Sequence, residues 1–124
     1  MKSSFFLSTS LLVFASALAQ SVPREFPAEG TTQPATALKD RFAGRIYAVT
    51  LADGTRWRVD YKANGYFFVN TSTGFSGAGD WHADEGKLCS RLRGNPPSCN
   101  DVRLLGDVIY LKRDSGEVIA MTPQ

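Results

Sequence analysis

The side chains best suited to chemistry gather between Gly77 and Val102, GAGDWHADEGKLCSRLRGNPPSCNDV, which holds the only histidine and both cysteines of the 124-residue sequence. Ser76, Asp80 and His82 alternate along one predicted strand and are the residue types of a nucleophile, an acid and a base. Residues two apart on a strand are separated by about 6.6 Å, which exceeds the distance that direct proton transfer needs. The spacing favours a solvated polar face, and an enzyme using His82 and Asp80 at a barrel mouth is the alternative.

The sequence does not indicate a cofactor, a metal ion or a nucleic-acid partner. No nucleotide-binding, phosphate-binding or metal-binding motif occurs, and a zinc site would need more ligands than Cys89, Cys99 and His82. The 14 basic and 12 acidic residues nearly balance, whereas non-specific nucleic-acid binding relies on many unopposed cations. We therefore expect no cofactor, no metal and no nucleic-acid partner.

The two cysteines, Cys89 and Cys99, lie almost symmetrically about Gly94. In a hairpin with its tip near Gly94 they would face each other at a separation that a disulfide can bridge. A structural disulfide is the favoured interpretation, and closing a loop of about ten residues would contribute roughly 3 kcal/mol. A redox-active pair is the alternative, although such pairs usually occur as C-x-x-C at the start of a helix.

From Arg45 onward the hydrophobic pattern has a period of two, which is typical of β-strands. The clearest strand places Trp57, Val59 and Tyr61 on one face and charged residues on the other. Turn signals recur every eight to twelve residues, so the pattern predicts an all-β, antiparallel up-and-down meander. Closing it into a small barrel removes both exposed edges, and a sandwich is the alternative. The eight predicted strands span residues 45–51, 56–62, 66–71, 75–83, 87–93, 99–105, 108–113 and 118–122.

The segments before the first strand suggest three parts. Residues 1–19 resemble a signal peptide, with Lys2, an apolar run and a small-x-small site that predicts cleavage after Ala19. Export to the periplasm or extracellular space follows, and no segment is long enough for a membrane span. Residues 20–35 contain three prolines and predict a flexible leader or an extended arm. A short helix over residues 36–42, capped by Thr36, would precede the barrel of domain 36–124 and plug one of its ends.

An aromatic set is expected on the inner face of the meander. Plain core packing explains it without any function. The functional interpretation uses Gly77 and Gly79 as the floor of a pocket, because two inward glycines in one strand leave space. Trp57 and Trp81 would then be stacking walls for a small apolar or aromatic ligand. The expected inner aromatics are Trp57, Tyr61, Tyr66, Phe68, Phe75, Trp81 and Tyr110, and the proposed ligand contacts among them are Trp57, Tyr61, Phe68, Trp81 and Tyr110.

Short motifs carry a resemblance to a known group of proteins. Gly79-x-Trp81, Gly86-x-Leu88-Cys89 and a second cysteine ten residues on are similar to the pattern of small exported proteobacterial domains with a lipocalin-like or avidin-like barrel. The resemblance covers residues 38 to 122 and implies a fold, while many members of the group have no assigned function. Small-barrel bacterial protease inhibitors are also similar in size, signal peptide and single disulfide, and they act through an N-terminal arm.

The sequence as a whole favours a non-catalytic exported binding module. Its partner would be a small apolar or aromatic ligand or an extracytoplasmic protein. A protease inhibitor acting through residues 20–35 and an enzyme using His82 and Asp80 are the alternatives.

Overall fold

A computed structural model describes residues 22–124, so the predicted signal peptide and its cleavage after Ala19 lie outside the described residues. Eight antiparallel strands follow one another around a closed barrel, each paired with its neighbours in the sequence, and β1 closes onto β8. The predicted all-β, up-and-down meander is confirmed. The strands are β1 (Arg45–Thr50), β2 (Arg56–Tyr61), β3 (Tyr66–Thr71), β4 (Ser76–Asp84), β5 (Lys87–Leu92), β6 (Ser98–Leu105), β7 (Val108–Lys112) and β8 (Val118–Pro123).

The up-and-down order gives the barrel two distinct ends. The loops at 51–55, 72–75, 93–97 and 113–117 lie at one end, which we call the open end. The loops at 62–65, 85–86 and 106–107 lie at the other end together with helix α1 (Ala35–Phe42), and we call this the helix end.

Helix α1 plugs the barrel, as the sequence predicted. Leu38 and Phe42 lie one turn apart, and both are fully buried against the strands. The N-cap is Pro34 rather than the expected Thr36, and no side chain caps the helix. At the other end Gly44 takes a positive φ of 75°, and its N–H donates to the carbonyl of Tyr61 on β2, which turns the chain directly into β1.

An aromatic cluster forms the core behind the plug. The Phe42 ring lies 4.9 Å from that of Tyr61, 5.5 Å from that of Tyr47 and 6.0 Å from that of Trp81, measured between centroids. The Trp81 indole N–H donates to the carbonyl of Lys62 in the β2–β3 loop and to that of Tyr66, the first residue of β3. These contacts close the helix end with a dense, hydrogen-bonded layer.

The predicted cross-link is present. Cys89 on β5 and Cys99 on β6 are directly opposite each other and form a disulfide. The two residues face outward, and the Cys89 side chain is nevertheless buried. The cross-link therefore ties two neighbouring strands together without occupying the barrel interior.

Residues 23–34 lie against the outer surface of the barrel. Pro23 accepts a hydrogen bond from the N–H of Val118 on β8, and Thr31 exchanges two backbone hydrogen bonds with Leu104 on β6. Phe26 lies beneath the guanidinium of Arg103, 4.8 Å from the ring centroid. The segment crosses the barrel wall from the open end toward α1. Within residues 22–124, no helix has the length and apolar character that crossing a membrane requires.

Candidate functional site

The barrel interior is hollow toward its open end. A cavity of about 720 Å³ extends from the open-end loops at 72–75, 93–97 and 113–117 down to Tyr61, Leu88 and Met121. This volume is typical of pockets that hold a small organic molecule. Helix α1 and its aromatic cluster lie beneath the floor, so the cavity opens at one end only.

One side of the cavity is apolar. Trp57 and Val59 of β2 and Phe67 and Val69 of β3 line it, and the two strands pair so that these side chains share a face. Aliphatic side chains continue the surface around the barrel on β5, β7 and β8, namely Leu92, Leu111 and Ile119. An apolar or aromatic ligand that binds to this wall would bury its surface away from water, which is favourable. It would cover few polar groups of the protein, so few hydrogen bonds would be lost.

The other side of the cavity is polar. Ser90 on β5 is directly opposite Ser98 on β6, and Asn100 follows two residues along the same face. The Asn100 amide nitrogen donates to a carboxylate oxygen of Asp114 at 2.8 Å, and its oxygen lies 3.3 Å from the Ser98 hydroxyl. The cavity is therefore amphipathic, with a hydrogen-bonding stripe facing an apolar wall.

A charged pair lies at the cavity mouth. The guanidinium of Arg113 stacks on the Trp57 ring, 4.8 Å from its centroid, and donates to the carboxylate of Glu117 at 2.7 Å. Stacking and the ion pair together fix the orientation of the Trp57 ring. One face of this ring is covered, and the side chain as a whole borders the cavity.

Tyr61 lies at the cavity floor. Burial is the main cause that raises the pKa of Tyr61 above its ordinary value, and the neighbouring Tyr47 raises it further. The ring packs against Trp81 and Phe67, with centroids 5.7 Å and 6.2 Å away. The hydroxyl stays protonated at neutral pH and can both donate and accept a hydrogen bond.

Two of the expected ligand contacts, Trp57 and Tyr61, do border the cavity. Phe75 also borders it at the mouth, although half of its surface is exposed. The lining also includes residues that the sequence did not single out, among them Phe67, Val69, Ser90, Leu92, Ser98, Asn100, Leu111, Arg113, Asp114 and Ile119.

Phe68 and Tyr66 lie on the outer face of β3, with 44% and 55% of their surface exposed, so their expected inward placement is wrong. A two-residue turn at Asn64-Gly65 would have paired Tyr61 with Phe68. Instead the Gly65 N–H donates to the Lys62 carbonyl, and Gly65 alone takes a positive φ. The resulting three-residue loop pairs Tyr61 with Phe67. A register shift of one residue exchanges the two faces of a strand.

Tyr110 also lies on the outer face, against expectation. The turn at 106–107 pairs Leu104 with Ile109, so Ile109 and Leu111 point inward and Tyr110 pairs with Arg103 outside. Tyr110 borders a surface groove together with Phe26 of the N-terminal segment. Counting from the inward Leu104 across the two-residue turn places Ile109 inward and Tyr110 outward.

Trp81, Gly77 and Gly79 point inward as predicted, but none of them borders the cavity. Trp81 belongs to the aromatic cluster at the helix end. A Cβ added to Gly79 would lie 2.1 Å from the carbonyl oxygen of Arg91 and 2.7 Å from the Phe67 ring. The glycines therefore allow close packing of backbone and rings, rather than providing the floor of a pocket.

The residues of the enzymatic alternative lie elsewhere. Asp80 and His82 are exposed on the outer face of β4, Asp80 at its middle and His82 nearer the helix end. Asp80 forms an ion pair with Arg91 at 3.2 Å, and His82 pairs with Cys89 across the strands. Neither side chain borders the cavity.

Comparison with family models, curated proteins and solved structures finds no match for the chain. The fold and the site together define an eight-stranded up-and-down barrel with one disulfide, closed by a helix at one end and hollow at the other.

Proposed function

We propose that the protein is a non-catalytic binding module that holds a small, largely apolar ligand in the cavity at the open end. The observation that carries this proposal is the hollow interior itself, about 720 Å³ with Trp57 held in place at its mouth. At the helix end Leu38, Phe42 and Trp81 fill the barrel, whereas the side chains of residues 22–124 leave the open end hollow. The ligand contacts we propose are Trp57, Tyr61, Phe67, Val69, Leu92 and Leu111.

The module acts outside the cytoplasm in this proposal. The charged start, apolar run and small residues of segment 1–19 support export, and the disulfide Cys89–Cys99 is stable in an oxidising compartment. The barrel topology and the single disulfide also agree with the lipocalin-like or avidin-like group that the sequence resembles.

The alternatives receive less support. An inhibitor that inserts its N-terminal arm into a protease needs that arm free, whereas Pro23, Thr31 and Gln33 accept backbone hydrogen bonds from the barrel. A mechanism using His82 and Asp80 needs them beside a bound substrate, and they lie on a convex outer face. In favour of a protein partner, the described residues offer the exposed rings of Tyr66 and Phe68 on the outer face of β3.

The two tryptophans allow a direct test. With 15N-labelled protein, addition of 1-decanol is expected to shift the indole N–H signal of Trp57, which borders the cavity, in a saturable manner. The Trp81 signal is expected to stay in place, because its N–H is bonded to two backbone carbonyls at the helix end. Trp57→Phe assigns the signals. A shift of Trp81 instead of Trp57, or no saturable shift of either, would rule out the proposal.

A further inference from the structure

The polar stripe of the cavity indicates which ligands it prefers, an inference that rests on the proposed function. The hydrogen bonds along this stripe have a fixed direction. A carboxylate only accepts, so the Asn100 group facing Asp114 must be the amide NH₂. The Asn100 oxygen then faces Ser98, and the Ser98 hydroxyl must donate to it. The hydrogen bonds therefore run in one direction, from the Ser98 hydroxyl through Asn100 to Asp114. Oxygen lone pairs of Ser98 and Asp114 remain free to accept a hydrogen bond from a ligand.

The charges that line the cavity favour the same kind of ligand. Arg113 and Asp114 supply the guanidinium and the carboxylate among the side chains that line the cavity. Arg113 is already neutralised by Glu117, whose carboxylate is only 12% exposed. Asp114 accepts from the neutral Asn100 and forms no ion pair with the basic side chains of residues 22–124. Within the lining, the charge left without an oppositely charged partner is the negative charge of Asp114; the Arg24 guanidinium lies outside the lining and donates to the Ser115 carbonyl at 3.4 Å.

We infer that the cavity takes an amphiphile whose apolar body lies on the Trp57–Val69 wall and whose cationic amine head binds at Asp114 and Ser98. A protonated amine offers only donors, which matches the free acceptors of the stripe. A carboxylate head would meet a like charge at Asp114 and no free cation in the lining. The cavity thus discriminates by head group as well as by hydrophobicity.

Three ligands with the same chain and different heads test this inference: decylamine, 1-decanol and decanoate, titrated by calorimetry at neutral pH and low ionic strength. Decylamine is expected to bind roughly tenfold more tightly than decanoate, with 1-decanol between them, because exposed charge pairs contribute modestly. Raising the salt concentration is expected to shrink the ratio through screening.

Two variants test whether Asp114 causes the preference for the amine head group. Asp114→Asn keeps the shape and is expected to reduce the amine-to-carboxylate ratio to about twofold or less. Asp107→Asn, which removes a carboxylate at the helix end, is expected to leave the ratio unchanged.

Equal or tighter binding of decanoate by the wild type would overturn the inference while leaving the proposed function standing. An amine preference that survives Asp114→Asn would overturn the role of Asp114. No binding of any of the three would overturn the proposed function.

Discussion

Gly79→Ala is expected to lower the free energy of unfolding by more than about 3 kcal/mol, which exceeds the usual cost of one added methylene. The new Cβ would lie 2.1 Å from the Arg91 carbonyl oxygen, a backbone atom that cannot rotate away. Strands β4 and β5 would have to separate at this position. Thermal or denaturant unfolding measures the effect, and a drop in the melting temperature of more than about 12 °C is expected for a domain of this size.

Gly77→Ala is the matched control for this prediction. Its Cβ would meet the ends of two side chains, Leu92 at 2.9 Å and Phe75 at 3.1 Å, and both can move toward the open cavity. An added methyl also restricts the unfolded chain, which offsets part of the cost. We expect a loss of less than about 1 kcal/mol. Equal losses for the two variants would contradict the close approach assigned to Gly79.

Phe42→Ala is expected to cost about 3–5 kcal/mol, the range for deleting a buried phenyl ring. Phe42 is completely buried and contacts the rings of Tyr61, Tyr47 and Trp81. Its loss would leave a void under the cavity floor and release the helix from the barrel end. Denaturant unfolding monitored by tryptophan fluorescence measures the cost.

Phe68→Ala removes the same ring from the outer face and serves as the control. Phe68 is 44% exposed, so its truncation is expected to cost less than about 1 kcal/mol. A cost for Phe42→Ala as small as that for Phe68→Ala would show that α1 does not plug the barrel.

The architecture could be predicted because it depends on local signals. Alternation in β2, turn residues at regular spacing and the symmetric cysteines are each visible within about ten residues. The inner face of β3 could not be assigned from alternation, because Phe67 and Phe68 are adjacent and identical. Its register depends on whether the loop before it has two residues or three, and the Asn64-Gly65 pair occurs in both kinds.

The cavity itself was harder to predict for two reasons. Its polar stripe consists of Ser90, Ser98 and Asn100, and polar residues in a strand usually indicate the solvent face. Whether a barrel is hollow also depends on how far the plug reaches. Phe42 and Trp81 fill the helix end, whereas Trp57 and Leu111 border the open cavity. The two glycines suggested empty space, yet other residues already occupy the space beside them.

The most direct test of the central claim is to fill the cavity from inside and measure ligand binding. Val69 borders the cavity in the middle of β3, and its neighbour Asn70 is exposed on the outer face. Val69→Trp places a large ring in the cavity, whereas Asn70→Trp places the same ring in solvent. Calorimetric titration with 1-decanol compares both variants with the wild type, and unfolding curves confirm that each is folded.

The wild type and Asn70→Trp are expected to bind one 1-decanol with the same affinity, and Val69→Trp is expected to bind at least a hundredfold more weakly. If Val69→Trp is folded and binds as tightly as Asn70→Trp, the ligand lies elsewhere and the interior of the barrel is not the binding site.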